Sequence, residues 1–178
     1  NFFDTADSYS LGASEEVLGR ALEEMARREE VVIATKAQIR NGAGAAHVTA
    51  SIENSLRVMR TDYIDVFNLH GIELDEYDHA MSVVPALLDA KAKGKIRHIC
   101  ITENPINDFT NAMLKRAVRD AVWEVFMVGF HMMHQGARAN VFPVTRANGI
   151  GTLLMFAVRS MFADPPRIAR EMKALADK

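Results

Sequence analysis

The sequence predicts an α/β fold in which a parallel sheet is covered by helices on both faces. Six short apolar runs alternate with segments that carry apolar residues at helical spacing, and short connections join them. Each run is continuously apolar, as in strands that are buried on both sides. Two architectures fit, a doubly wound open sheet and part of an eight-stranded barrel. No G-x-G-x-x-G fingerprint follows any run, which counts against a doubly wound nucleotide fold.

The composition is that of a globular domain. The chain has 178 residues, of which 49% are hydrophobic and 25% charged, so we expect one domain over residues 1–178. A net charge of −2 with interspersed signs gives no case for nucleic acid or an anionic membrane surface. No apolar run approaches the length of a membrane span. The single cysteine, Cys100, excludes an internal disulfide and predicts a cytoplasmic location.

The first half of the chain is predicted to contain three strands and three helices. Ser14 is a suitable N-cap for the first helix, and Gly94 is the expected left-handed C-cap of the third. The chain begins inside a predicted strand without an initiator Met, so we expect it to be part of a longer protein. The predicted strands cover residues 2–3, 31–35 and 63–69, and the predicted helices cover residues 14–28, 48–59 and 80–92.

The second half repeats the alternation of strands and helices. Gly149 is expected to end the second of its helices, and Pro165 with Pro166 to begin the third, which runs to Lys178. The predicted strands cover residues 96–101, 122–130 and 151–156, and the predicted helices cover residues 108–119, 137–148 and 165–178.

Polar side chains stand at the carboxyl ends of three consecutive predicted strands. Asp4, Lys36 and His70 occupy these ends, and Tyr9 lies on the loop after the first. In a barrel, this rim carries the chemistry, so the four residues are expected to converge. The lysine cation favours phenolate, the aspartate keeps the lysine charged, and the histidine can donate to a carbonyl oxygen. Each residue alone has an ordinary structural explanation, but together they predict Tyr9 as a general acid in an oxygen-binding pocket.

The sequence resembles the aldo-keto reductase family over nearly its whole length. The resemblance implies a (β/α)8 TIM barrel, incomplete here, with about six βα units that correspond to family strands two to seven. It also implies that hydride passes between a nicotinamide cofactor, NADPH or NADH, and an aldehyde or ketone substrate. The implied catalytic residues are Asp4, Tyr9, Lys36 and His70. The segments that carry the resemblance are residues 3–9, 14–22, 33–36, 55–57, 61–65, 69–70 and 94–99.

The cofactor side of the resemblance departs from the family pattern. The family usually has Gly-x-Ser-Asn after its fifth strand to hold the carboxamide, whereas this chain has Cys-Ile-Thr-Glu-Asn at residues 100–104. Met127 stands where the family has a glutamine on its sixth strand, and the residue that stacks on the nicotinamide after the seventh strand is expected to be Met155 or Phe156. These departures suggest a divergent subgroup. The residues expected to contact the cofactor are Thr102, Asn104 as a shifted Asn, Met127, and Met155 or Phe156.

Other functions stay open on the sequence alone. Lys36 could form a Schiff base in a barrel aldolase, although that chemistry needs a neutral lysine and Asp4 works against it. The chain could also bind the cofactor as a regulatory protein without useful turnover. His131 and His134 lack a third ligand at suitable spacing, so no metal site is predicted. The expected partner is a small carbonyl compound, and the pattern specifies no oligomeric state.

Overall fold

The structure is built around one parallel sheet. The computed structural model describes residues 1–25, 27–40, 42–157 and 164–177. Six strands lie in the order β1-β2-β3-β4-β5-β6, so each pairs with its neighbours along the chain. The sheet is an incomplete (β/α)8 barrel, which confirms the predicted fold class. The strands are Phe2–Asp4 (β1), Val32–Ala37 (β2), Ile64–Ile72 (β3), Ile96–Glu103 (β4), Val125–Gly129 (β5) and Gly151–Met155 (β6).

Helices connect the consecutive strands, as parallel pairing requires. Two 3-10 turns, Tyr9–Gly12 and Arg28–Glu30, flank the first helix. Gly94 has a φ of +75° directly after the third helix, as its predicted role as C-cap requires. The helices are Ala13–Met25 (α1), Ala45–Val58 (α2), Tyr77–Ala92 (α3), Ala112–Ala117 (α4), Gly136–Asn140 (α5), Phe142–Ala147 (α6) and Pro165–Ala176 (α7).

Two predicted helices are shorter in the structure. The helix expected from residue 108 begins at Ala112, because the Asp108 carboxylate accepts bonds from Thr110 N and Met113 N and forms a turn. The helix expected over residues 137–148 is divided into α5 and α6. Pro143, at the start of α6, has no N–H to continue α5. The end predicted for the last helix, at Lys178, lies outside the described residues.

Alternate side chains of the strands face opposite sides of the sheet. The outward-facing side chains pack under the helices and form the main hydrophobic core. The inward-facing side chains form a smaller apolar layer of Ala34, Val66, Cys100 and Met127. Two residues further along β2, β3 and β4, the inward positions are polar. These positions hold Lys36, Asn68 and Thr102.

The opposite end of the sheet is tied together by Asp65. This buried carboxylate accepts hydrogen bonds from Arg28 Nη2 at 2.7 Å, from Arg97 Nη1 at 2.9 Å and from Ile33 N at 2.9 Å. Both guanidinium groups also stack on Tyr63, each 3.8 Å from the ring centroid. Because these contacts join the beginnings of β2, β3 and β4, they fix the strands at the end remote from the polar layer.

Helices α1 and α2 approach each other closely at Gly19. A Cβ atom added there would lie 2.7 Å from the Cα of Met59. The obstructing atoms belong to the backbone, so a side-chain rotation cannot relieve the overlap. This explains why glycine occupies a helix interior, where it costs about 1 kcal/mol relative to alanine.

We expect Gly19→Ala to lower the free energy of unfolding by about 1–3 kcal/mol, because the new methyl group forces α1 away from α2. Gly151→Ala is the matched control, since a Cβ at Gly151 meets its nearest neighbour at an ordinary 3.6 Å. Urea unfolding of both variants measures the difference. Equal stability of the two variants would contradict the close approach.

Candidate active site

A cavity of about 530 Å³ opens at the carboxyl ends of the strands, and we refer to it as the mouth. The four predicted catalytic residues all line it. Of the predicted cofactor contacts, all but Asn104 line it as well. The lining residues are Phe2, Asp4, Tyr9, Lys36, His70, Thr102, Met127, Leu153, Leu154, Met155 and Phe156.

The buried cation of the mouth is Lys36, whose side chain is 1% exposed. Its ammonium donates to Asp4 Oδ2 at 2.6 Å and to the Thr5 carbonyl oxygen at 2.7 Å. The Asp4 side chain, at the end of β1, is 35% exposed. A buried charge needs such partners because it has lost its water. The pair is therefore buried on the lysine side and open to solvent on the aspartate side.

Tyr9 is carried over the ion pair by the loop after β1. Asp7 N donates to the Lys36 carbonyl oxygen at 3.1 Å, and Tyr9 N donates to the Ala6 carbonyl oxygen at 3.1 Å. The Tyr9 ring centroid lies 4.8 Å from Lys36 Nζ and 5.9 Å from the centroid of the His70 ring. The phenol thus lies between a cation and an imidazole. It is 39% exposed and open to a ligand in the mouth.

His70 lies within β3 at a break in the strand register. The pairing of β3 with β4 shifts between Leu69 and Ile72, an irregularity of the kind that is common next to active sites. Burial, together with the charges of Lys36 and Arg40, lowers the pKa of His70 to about 4. Nδ1 is enclosed and has no hydrogen-bond partner among the described residues. At neutral pH, His70 can therefore donate one N–H bond without carrying charge.

Thr102 is positioned by a residue that the sequence analysis did not single out. Its Oγ1 donates to Asn68 Oδ1 at 3.3 Å, and Asn68 Nδ2 donates to the Thr35 carbonyl oxygen at 3.0 Å. The hydroxyl proton is therefore used, and the lone pairs of Oγ1 stay available as acceptors. In the sequence, Asn68 is recognisable as a polar residue within the apolar run at residues 63–69.

The structure does not bring Asn104 to the mouth. It follows the last residue of β4, and its Nδ2 donates to Glu73 Oε1 at 2.9 Å. The preceding Glu103 faces outward and is buried, and it accepts bonds from Asn111 Nδ2 at 2.9 Å and Gly129 N at 2.8 Å. Burial raises the pKa of the Glu103 carboxyl. Thr102 is thus the polar residue of this segment that lines the mouth.

The far wall of the mouth is apolar. Met127 pairs with Thr102 across β4 and β5, and with Leu153 across β5 and β6. Met155 ends β6, and Phe156 follows it with a φ of +57°. This left-handed conformation is uncommon for a bulky residue and turns the chain at the rim. The predicted cofactor residues Met127, Met155 and Phe156 are therefore brought together on one side.

The described residues offer neither a metal site nor a membrane-spanning helix. Among the described residues, no group of three or more His, Cys, Asp and Glu side chains could hold a metal ion. The rings of His131 and His134 lie 5.9 Å apart beside a separate cavity with Phe109. In the described part of the chain, no helix is both long and apolar enough to cross a membrane.

Comparison with known proteins identifies the family. The family model described as "Aldo/keto reductase family" matches residues 1–166. The chain belongs to the aldo/keto reductase family. This membership confirms the resemblance drawn from the sequence motifs, which lie in the same residues.

Individual aldo/keto reductase relatives match over most of this chain. Aldo-keto reductase YhdN of Bacillus subtilis is 32% identical over 159 residues, which cover 85% of this chain and 46% of that protein. L-galactose dehydrogenase of Arabidopsis thaliana is 31% identical over 158 residues, which cover 86% of this chain and 49% of that protein. A crystal structure of a Klebsiella pneumoniae aldo-keto reductase in complex with NADPH has a TM-score of 0.70 at 27% identity. That match covers 90% of this chain and 53% of the other. The chain spans about half the length of these relatives.

We expect His70 to titrate near pH 4 and to stay neutral between about pH 5 and pH 8. NMR titration of the ring protons, assigned with a His70→Gln variant, measures this. Because the unfolded chain takes up the proton at the ordinary pKa of 6.5, stability should fall as the pH drops from 6.5 towards 4. Arg40→Ala should raise the pKa by removing one nearby cation. Titration of wild-type His70 above pH 6 would contradict the described environment.

We expect Asp4→Ala to lower the free energy of unfolding by about 3 kcal/mol, because it leaves the buried Lys36 cation with only a carbonyl partner. The effect should fall at the lower end of the usual range, since the Asp4 side chain is 35% exposed. Asp75→Ala is the control, because this exposed carboxylate should change stability by no more than about 0.5 kcal/mol. Indistinguishable melting of the two variants would show that the ion pair does not stabilise the fold.

Proposed function

We propose that the protein is a nicotinamide-dependent carbonyl reductase that transfers hydride between NADPH, or alternatively NADH, and an aldehyde or ketone. The observation that carries the proposal is the Tyr9 ring, 4.8 Å from Lys36 Nζ and 5.9 Å from the His70 ring. Family membership supports it, as do the named activities of the relatives and the NADPH in the Klebsiella enzyme. The reverse reaction, oxidation of the corresponding alcohol, uses the same groups.

The residues of the mouth fit a nicotinamide ring and its carboxamide. Met127, Met155 and Phe156 offer an apolar wall for a flat ring. Thr102 Oγ1, whose own proton goes to Asn68, can accept a bond from the carboxamide N–H. Asn104 would reach the carboxamide only by exchanging its bond to Glu73. When bound, a reduced nicotinamide supplies the hydride that the carbonyl carbon receives.

Tyr9 delivers the proton to the carbonyl oxygen in this proposal. Loss of the proton leaves a negative phenolate, which the Lys36 ammonium stabilises from below the ring. Asp4 and the Thr5 carbonyl oxygen accept hydrogen bonds from that ammonium and hold it in place. A proton donor positioned in this way contributes about 10²–10⁴-fold to the rate.

His70 orients the carbonyl group beside Tyr9. Because its pKa is lowered to about 4, the imidazole is neutral at neutral pH and does not replace Tyr9 as the proton donor. Nε2 can instead donate a hydrogen bond to the substrate oxygen, where negative charge develops during hydride transfer. His70 therefore serves as a hydrogen-bond donor, because its buried environment disfavours imidazolium.

The alternatives have less support. A Schiff base at Lys36 requires a neutral, reachable amine, whereas its Nζ is buried and donates to Asp4 at 2.6 Å. A regulatory role without turnover would leave the converging proton donor and cation without a use. The cytoplasmic location and the small carbonyl partner stay predictions.

We expect Tyr9→Phe to reduce carbonyl reduction by about 10²-fold or more, because the phenol supplies the proton. Cofactor binding, followed by fluorescence titration with NADPH, should change little, because the phenol is not among the residues expected to contact the cofactor. Tyr63→Phe is the control, since Tyr63 stacks between Arg28 and Arg97 at the other end of the sheet. The assay is NADPH oxidation with a panel of aldehydes and ketones.

The outcomes of this experiment separate the hypotheses. Wild-type turnover by Tyr9→Phe would remove the assignment of Tyr9 as the acid. NADPH binding by the wild-type protein without turnover of any carbonyl compound would instead favour the regulatory alternative.

A further inference from the structure

Arg40 is an exposed cation on the loop between β2 and α2. Its guanidinium forms no hydrogen bond or ion pair with any other described residue. It lines a cleft of about 230 Å³, which we call the side cleft. The side cleft also contains His70, Thr102 and Phe156, which line the mouth as well. The unpaired cation therefore lies in a space continuous with the proposed reaction site.

The backbone beside His70 makes room for this guanidinium. Gly71 has a φ of +69°, a conformation that favours glycine. A Cβ atom added at Gly71 would lie 3.8 Å from Arg40 Nη2. The guanidinium thus stands over the residue that directly follows His70. Since consecutive Cα atoms are about 3.8 Å apart, the positive charge is close to the group proposed to hold the substrate oxygen.

Among the described residues, no carboxylate forms an ion pair with Arg40. Lys36 has Asp4 as its counter-ion, and His70 is neutral at neutral pH. Glu103 lines the side cleft and Glu73 contacts its neighbour Asn104, and both carboxylates are held by amide or backbone N–H groups rather than by Arg40. Glu103 faces outward and accepts bonds from Asn111 and Gly129, and Glu73 accepts bonds from Asn104 and Asn107.

We propose that Arg40 binds a carboxylate of the substrate, so that the preferred substrates are aldehydes or ketones with an acid group a short chain or one ring away from the carbonyl. The inference rests on the proposed function, because it names the substrate class of the same mouth. The planar guanidinium fork matches a carboxylate with two parallel hydrogen bonds, which a lysine cannot reproduce. The bound acid group then fixes the carbonyl between Tyr9 and His70.

A cofactor phosphate is the other possible source of an anion, and the topology argues against it. The residues that fit the nicotinamide, Thr102, Met127 and Met155, lie on β4, β5 and β6. Arg40 follows β2, on the other side of His70 in the strand order. The side cleft touches the cofactor wall at Thr102, Met155 and Phe156, but Arg40 lies on the β2 side of His70, away from that wall.

The test compares para-carboxybenzaldehyde with its methyl ester, which has the same ring and carbonyl but no charge. We expect the wild-type protein to have the higher kcat/KM for the acid. Arg40→Ala should lower the acid-to-ester ratio of kcat/KM by about tenfold or more, mainly through the KM for the acid. Arg40→Lys should recover part of the ratio, since it restores charge without the fork. Arg119→Ala, at an exposed arginine after α4, should leave the ratio unchanged.

Two outcomes of the kinetic test would overturn the inference. The first is an acid-to-ester ratio that is the same in the wild type and in Arg40→Ala. The second is a raised KM for NADPH in Arg40→Ala with an unchanged ratio, which would assign the guanidinium to a cofactor phosphate.

Calorimetric titration of the acid and the ester, without turnover, separates this inference from the proposed function. Binding of the acid that is lost in Arg40→Ala, in a protein that reduces neither compound, would contradict the proposed function and support the role of Arg40. Reduction of the ester with no measurable preference for the acid would support the proposed function and contradict the role of Arg40.

Discussion

The polar end of this barrel depends on the burial of one ammonium group, that of Lys36. Removed from water, the ammonium needs acceptors, and it finds them in Asp4 Oδ2 and the Thr5 carbonyl oxygen. Both acceptors belong to the end of β1, so the ion pair joins the first strand to the second. Backbone bonds from Thr5 N to the Ala34 carbonyl oxygen and from Asp7 N to the Lys36 carbonyl oxygen continue this join into the loop. The same contacts that solvate the cation therefore bring Tyr9 over it.

The apolar layer below the mouth makes these interactions strong. Ala34, Val66, Cys100 and Met127 form a buried apolar cluster on the inner face beneath Lys36. Burial raises the pKa of the Cys100 thiol well above its ordinary value, which shows how poorly this layer supports an anion. In such surroundings, a charge acts over a longer range than in water. The Lys36 cation consequently influences both the phenol of Tyr9 and the imidazole of His70.

The sequence predicted the fold, and it predicted that the four candidate residues would line one cavity, because both depend on strand periodicity. Lys36 and His70 stand at the ends of apolar runs. A charged or titratable residue next to a buried strand indicates a specific role, because its burial is otherwise unfavourable. Asn68 was missed although it obeys the same logic, since a polar residue inside a buried strand must find hydrogen bonds. Its partners, Thr35 and Thr102, lie on neighbouring strands, and that proximity is set by the register of the sheet rather than by local pattern.

The positions of side chains beyond the strand ends were harder to predict, because individual contacts rather than strand periodicity decide where these side chains point. Asn104 has the residue type expected to bind the carboxamide, but its side chain donates a hydrogen bond to Glu73 and does not line the mouth. Asp108 forms side-chain bonds that replace the first turn of the predicted helix. Arg40 lies on a glycine-rich loop with no periodicity, and what singles it out is the lack of a partner, which only three-dimensional structure reveals.

The two sides of the mouth differ in the chemistry that they offer, and this difference orders the proposed reactants. The β5 and β6 side is apolar, and with the Thr102 hydroxyl it suits a flat ring that carries one amide. The β2 and β3 side carries Lys36, which is paired with Asp4, and Arg40, which has no counter-ion in the part of the chain that the structure describes. A carbonyl compound with an acid group would complete the charge balance on that side only. Its carbonyl carbon would then face the apolar wall, while its oxygen faces Tyr9 and His70. Carbonyl reduction requires this arrangement, because the hydride goes to the carbon and the proton goes to the oxygen.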